Sequence, residues 1–321
     1  MKTRREFIEK ATKGAVAGAI ASVSISKPLF SKSEKNTIRI GIIGAENSHT
    51  IGFGRLFNIE KKFSRCKVFY VWGETDAFAQ NAADKGEIPN IVKDPSEMMG
   101  KIDALIVDHR HPRYHLKAAL PFVKVGIPTF VDKPFCYRVE EGIEFLKIAK
   151  ELKTPVTSFS SIAQSEGTMD MKEQISTIGN IEHIVWYGPA DVESKYGGIF
   201  FYGVHIVQPL MNVFGEDIEK VRVTRHDKQT TASVIFNSGY LATLIFTKGR
   251  ERGVILVTAD GEMKLKSRVS ESDPPKNYVD MVEMFRTGKE PRGHQSILKC
   301  VAVLEALEKS VISQNWETVE I

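Results

Sequence analysis

From Thr37 onward the chain alternates short, wholly apolar runs with amphipathic segments of helical length, and no other feature constrains its fold as tightly. The runs "TIRIGIIG", "CKVFYVWG", "IDALIVD", "IPTFVDKP" and "TPVTSFSS" have the length of buried strands. Between them lie helix candidates: residues 50–61, "DAFAQNAADKG", "HPRYHLKAALPFVKVG" and "VEEGIEFLKIAKELK". In the third, Leu116, Ala119, Leu120 and Val123 recur at helical spacing and Gly126 ends the element. Strand–helix–strand units of this size predict a parallel, doubly wound sheet with helices on both faces.

Past about residue 160 the rhythm changes. "EHIVWYGPADV", "KVRVTRH", "TTASVIFNSG", "YLATLIFTKG" and "GVILVTADG" read as strands separated by turns, surrounding one helical stretch, "IFFYGVHIVQPLMNVFG". The expectation is therefore α/β: a Rossmann-type parallel sheet over 37–160, then an α+β domain over 161–321 built on a mostly antiparallel sheet. The last helix, "HQSILKCVAVLEALEKSVIS", is expected to pack back on the first domain. A chain of 321 residues is long enough for two cores.

Charge is unevenly spread. The chain is +4 overall, but residues 1–36 carry eight Lys/Arg against three Glu, leaving the remainder at −1. Nothing in that balance points to nucleic acid. The leader places Arg4-Arg5 ahead of Phe7-Ile8 and the mild apolar stretch "GAVAGAIASVSIS", which resembles a bacterial twin-arginine (Tat) export signal. It implies a periplasmic protein, or one held at the membrane by an uncleaved leader. Cys66, Cys136 and Cys300 show no metal-ligand spacing and read as core thiols.

In an open parallel sheet, ligands lie beyond the carboxyl ends of the strands. That rule gathers Glu46, Asn47 and His49 after the first strand; Asp108, His109, Arg110, His111 and His115 after "IDALIV"; and Asp132, Lys133 and Pro134 after "IPTFV". Lys133, fixed by the following proline, is positioned to donate to a substrate hydroxyl or to shift its pKa by burial. A dinucleotide loop would read G-x-G-x-x-G. Here it is Gly44-Ala45-Glu46-Asn47-Ser48-His49, so only the first glycine is present. A carboxylate at the second position would repel a pyrophosphate by a few kcal/mol, on the order of Coulomb's law at an effective ε near 20. Either Glu46 turns away, or a cation intervenes, or the pyrophosphate is absent. Glu74, after the second strand, is the candidate for the ribose hydroxyls. Tyr196, Tyr202 and Trp186 could wall a sugar ring, or simply pack.

The motifs "IRIGIIG", "VDKP" and "YGGIFFYGVH", in that order, resemble the Gfo/Idh/MocA family of sugar and cyclitol oxidoreductases. The resemblance implies an N-terminal domain that binds NAD or NADP and a C-terminal domain that lays substrate over the nicotinamide. It implies catalytic roles for Lys133, the lysine of the E/D-K-P motif, and for His205, the proton-moving histidine. It places Gly44, Glu46, Asn47, Ser48, His49, Glu74, Asp108 and Lys133 toward the cofactor and His115, Tyr196 and Tyr202 toward a carbohydrate-like substrate. The family's D-x-G-x-H-x-x-D pattern is altered: Phe201 and Gln208 stand in place of the aspartates, so another group must orient His205.

Two other readings stay open. Asp108, His109 and His111 could assemble a metal site for non-redox sugar chemistry, although His111 precedes Pro112, which disfavours helix there. The chain could also be a non-catalytic carbohydrate-binding relative. NAD(P) is the expected cofactor, loaded before export; a metal is not expected. The open second-domain sheet could pair with a second copy.

Overall fold

The computed structural model describes residues 37–321. The leader and its twin-arginine motif lie outside the described residues. Strands β1 (Ile38–Ile43), β2 (Cys66–Trp72), β3 (Asn90–Ile91), β4 (Ala104–Val107), β5 (Thr129–Val131) and β6 (Val156–Thr157) form one sheet in the order β3-β2-β1-β4-β5-β6. Every pair is parallel. The order reverses between β1 and β4, which opens a crevice at their carboxyl ends.

The crossover helices are α1 (Ser48–Gly54), α2 (Asp76–Gly86), α3 (His115–Lys124) and α4 (Val139–Leu152). Two boundaries differ from the sequence expectation, each for a local reason. α1 begins at Ser48 because the Asn47 side chain caps it, accepting from the His49 amide, and it runs into a π-helical turn over Arg55–Ile59. α3 begins only at His115, because Pro112 holds His111 extended (φ −105°, ψ 121°) and residues 112–114 make a single 3₁₀ turn.

The second half holds α5 (Glu166–Ile175), β7 (Ile181–Pro189), α6 (Phe200–Phe214), β8 (Ile218–His226), β9 (Gln229–Phe236), β10 (Leu241–Thr247), β11 (Gly253–Thr258), β12 (Gly261–Leu265), α7 (Lys276–Thr287), α8 (His294–Ser313) and β13 (Glu317–Thr318). Its sheet runs β12-β11-β7-β10-β9-β8-β13, and only the β7–β10 pair is parallel. The expectation of a single helix among these strands is corrected by α5 and α7. Both are short and polar overall, so their apolar periodicity is weak.

α7 shows why chain order misleads. Met281, Val282, Met284 and Phe285 complete the core formed by Ile40, Ile42, Phe53 and Phe130 of the first sheet. Tyr278 meets Phe53 edge-on, ring centroids 6.0 Å apart. α8 packs on α6 and β8 and also reaches the first domain: Val139 N–H donates to Glu305 (3.0 Å) and Tyr137 donates to Glu308 (2.5 Å). Met281 is fully buried, and deleting such a side chain costs about 2–5 kcal/mol. Met281→Ala is therefore expected to lower urea stability by that amount; a cost within about 0.5 kcal/mol, the surface range, would show that α7 does not belong to the first core.

Candidate active site

The phosphate loop starts at Gly44, whose φ is +111° and where a built Cβ would lie 2.5 Å from the Asp108 carbonyl carbon, so only glycine fits. The next two amides, Ala45 and Glu46, both donate to one oxygen of Glu74, each at 2.9 Å. The other Glu74 oxygen meets His109 Nδ1 at 2.8 Å. Burial alone would raise the Glu74 pKa, but His109 and the loop amides outweigh it and hold it down to about 2. The Glu46 side chain turns away from the loop and accepts from the Tyr196 hydroxyl at 2.6 Å. Arg110 lies over the Tyr196 ring (4.4 Å) and over Phe201 (5.1 Å). Of the three outcomes open for Glu46, the side chain has swung aside, held by the second domain.

Behind the loop sits a buried polar network. Asp108 is wholly buried and accepts from Thr50 Oγ1 (2.6 Å) and Asn47 Nδ2 (2.8 Å). Burial, reinforced by the neighbouring Asp132 charge, pushes its carboxyl well above the usual range. Asp108 thus organises the loop from beneath, and the expectation that it touches cofactor is corrected. Asp132 receives His49 Nδ1 at 3.0 Å and has the Lys133 ammonium at 3.6 Å. Burial works to raise Asp132 too, but those two groups prevail and hold it below the ordinary carboxylate range.

His205 lies on α6 with its Nδ1 2.7 Å from Ser160 Oγ, and the Ser160 amide donates to Gln208 Oε1 at 2.6 Å. Ser160, just past β6, supplies the orientation that the absent aspartate would give. A hydroxyl can donate to Nδ1 or accept from it, so either imidazole tautomer is supported, whereas a carboxylate would hold only Nδ1–H. Burial first, then the positive charges of Lys133 and Arg252, keeps His205 well below the usual imidazole pKa. The imidazole is neutral near pH 7 and ready to accept a proton. It lines a cavity of about 250 Å³ with Trp186 and Arg252. Sequence reasoning passed over Ser160 and Thr50, although the crevice rule that gathered Lys133 would have reached Ser160 at the next strand end.

Several candidates stand elsewhere. His115 is fully buried, with Nε2 2.7 Å from the His109 carbonyl and Nδ1 2.9 Å from the Pro134 carbonyl. Burial outweighs those carbonyls and lowers its pKa to about 4. It braces the loop after β5 and cannot contact substrate, which corrects that assignment. Ser48 is exposed at the first turn of α1, and Tyr202 is partly exposed against Phe201 and His205. Trp186 is a packed aromatic against Phe214.

The residues of the suggested metal site diverge. His109 serves Glu74, while His111 caps the 3₁₀ turn and meets Tyr137 edge-on. His49, Asp108 and Asp132 do converge, their ligand atoms within 4.8 Å of one another. Their lone pairs are engaged by Thr50, Asn47 and each other, and the Lys133 ammonium already supplies the positive charge.

For a dinucleotide the fit is better. Gly44 is in place, Glu46 is withdrawn, and Glu74 is a partly exposed, ionised carboxylate beside the loop whose His109-bound oxygen retains a lone pair for a ribose hydroxyl. Residues 38–159 match the family model Gfo/Idh/MocA, described as the oxidoreductase family with an NAD-binding Rossmann fold. That match spans the first domain. Solved structures similar to the chain extend the likeness to both domains. The myo-inositol dehydrogenase of Lactobacillus casei, in complex with NAD(H) and myo-inositol, is 14% identical with a TM-score of 0.73, covering 89% of this chain and 97% of its own. The WlbA dehydrogenase of Bordetella pertussis, with NADH and UDP-GlcNAcA, is 15% identical with a TM-score of 0.72, covering 90% and 100%. An oxidoreductase of Thermotoga maritima is 17% identical with a TM-score of 0.74, covering 88% and 99%. At these identities the likeness is one of fold. No curated protein sequence matches the chain.

Because Glu74 titrates lower in the folded chain than its ordinary 4.5, its stabilisation is complete above pH 4.5 and is lost as pH falls toward about 2. Glu74→Gln is expected to flatten the fall of the urea midpoint across that window. Equal slopes for both proteins would show that the carboxylate does not anchor the loop.

Proposed function

We propose that this protein is an NAD(P)-dependent oxidoreductase acting on a secondary hydroxyl or carbonyl of a sugar or cyclitol. The observation that carries the reading is that His205, tied through Nδ1 to Ser160, stands close enough to Lys133, buried beside Asp132, to feel its charge. A bound nicotinamide supplies hydride transfer. The chain's own residues handle the proton and the oxygen. His205 Nε2, the nitrogen that Ser160 leaves available, takes the hydroxyl proton on oxidation or returns it on reduction. Lys133 donates to the same oxygen and stabilises negative charge as it develops, while Asp132 keeps the ammonium aimed.

The inositol and nucleotide-sugar ligands of the two relatives support a polyhydroxylated substrate. The outer face of the second sheet leaves Leu241, Ile245 and Val257 exposed, which supports pairing with a second copy.

Protein purified without added cofactor and then denatured is expected to release NAD(H) or NADP(H), or to bind it when it is added back. His205→Ala should lower turnover by about 10²–10⁴-fold, the usual contribution of a general acid–base group, with dinucleotide content unchanged. A protein that neither carries nor takes up dinucleotide is not this enzyme.

The leader belongs to the same reading: a cofactor bound in the cytoplasm would travel with the folded protein. Replacing Arg4-Arg5 with Lys-Lys should leave the protein inside the cell, as read by fractionation. Undiminished export of that variant would remove the twin-arginine route.

A further inference from the structure

The cavity beside His205 carries a charge that the chain does not neutralise. Arg252, Lys264 and Lys266 line it, and no aspartate or glutamate does. Among the described residues none of the three forms an ion pair, although the surface elsewhere pairs its cations readily, as in Arg268 with Asp170 and Arg138 with Glu308. Lys264 and Lys266 are exposed, and water satisfies them. Arg252 is exposed as well, but it stands next to the imidazole; the partial burial of its head lowers its pKa, and only the Tyr202 phenol, no carboxylate, works against that.

Arg252 is also held in place. Gly188, on the inward face of β7, lacks the Cβ that would approach Arg252 Cγ to 3.2 Å and Ile206 Cγ1 to 3.4 Å. The arginine stem therefore passes over the glycine, which Ile206, the residue after His205 on α6, also approaches. Its positive charge is felt at that imidazole. A guanidinium at the wall of a cavity, its stem set over Gly188 and lacking a counter-ion, has the chemistry of an anion receptor. Its planar fork matches a carboxylate or a phosphate, and such charge-assisted bonds are the strong ones.

We infer that the substrate is an anionic sugar derivative, a monosaccharide bearing a carboxylate or phosphate, whose charged substituent is bound by Arg252 in the cavity beside His205. The cavity volume of about 250 Å³ suits one small ring. Arg252 would fix which carbon of the ring faces His205, making it a specificity-determining residue. Lys264 and Lys266 would attract the anion without fixing its orientation. The inference rests on the oxidoreductase reading only in taking His205 as the reacting end of the site.

The test is calorimetric binding to the full protein, with D-glucuronate, D-galacturonate and D-glucose 6-phosphate as anionic probes and D-glucose and D-galactose as neutral ones. At least one anionic probe is expected to bind tenfold or more tightly than its neutral parent, and uronate against phosphate distinguishes the two anions. Arg252→Met, which keeps an apolar stem over Gly188, should abolish that preference while leaving the thermal midpoint unchanged. Arg252→Lys, which keeps the charge but not the fork, should retain part of it and guards against misfolding of the first variant. Equal affinity for neutral sugars, no binding of any anionic probe, or an undiminished preference in both folded variants would overturn the inference. Binding is read without turnover, so a protein that holds uronate through Arg252 yet neither carries nor takes up dinucleotide would keep this inference and lose the oxidoreductase reading.

Discussion

Two carboxylates buried side by side at the carboxyl ends of β4 and β5 set the terms for the rest of the site. Asp108 and Asp132 cannot both carry charge away from water without compensation, and the surroundings are built to separate them. Asp108 is left to hydroxyl and amide donors and driven toward its neutral form; Asp132 is given an imidazole and an ammonium and kept ionised. Thr50 and Asn47 are drawn in by Asp108, which fixes the start of α1. His49 and Lys133 are drawn in by Asp132, which fixes the floor of the crevice. Much of the loop's shape follows from satisfying those four carboxylate oxygens.

The same economy explains how a glycine loop with two glycines missing keeps its form. A carboxylate at the second position is tolerable because Tyr196 from the far domain draws it aside. The amides that remain are organised by Glu74, which is in turn held by His109. The loop is thus supported by side chains from the second strand, the fourth strand and the second domain. His205 follows the same logic. With Phe201 and Gln208 where aspartates are expected, the imidazole takes its orientation from Ser160, and its low basicity follows from burial among cations rather than from a carboxylate partner.

Much of the fold was legible in the sequence, because the parallel sheet is written in apolar runs that leave little choice of period. Five of the six strands and the crossover helices over 37–160 follow from that pattern, the two-residue β3 being too short to carry it, and the His111–Pro112 step foretold the late start of α3. The helices that were missed, α5 and α7, are short and polar, and α7 buries its few apolar residues against a sheet more than a hundred residues away in sequence. At the site, Lys133 and Asp132 could be collected by the rule that ligands sit beyond strand ends. The same rule collected His115, Asp108 and His111 without distinction, since it places residues at an edge but does not say which way their side chains turn.

The sequence by itself determined the class of fold, the position of the crevice and the residue types available there, since all three depend on local periodicity and on where strands end. Tertiary structure decided which of those residues work together. It alone turned His115 inward to backbone carbonyls, joined Ser160 to His205 across 45 positions, and drew Glu46 to Tyr196 across 150. It also left Arg252 beside the imidazole without a counter-ion. The physical reason is that the charge and orientation of a buried polar group are set by its neighbours in space, and here almost every decisive neighbour is remote in sequence.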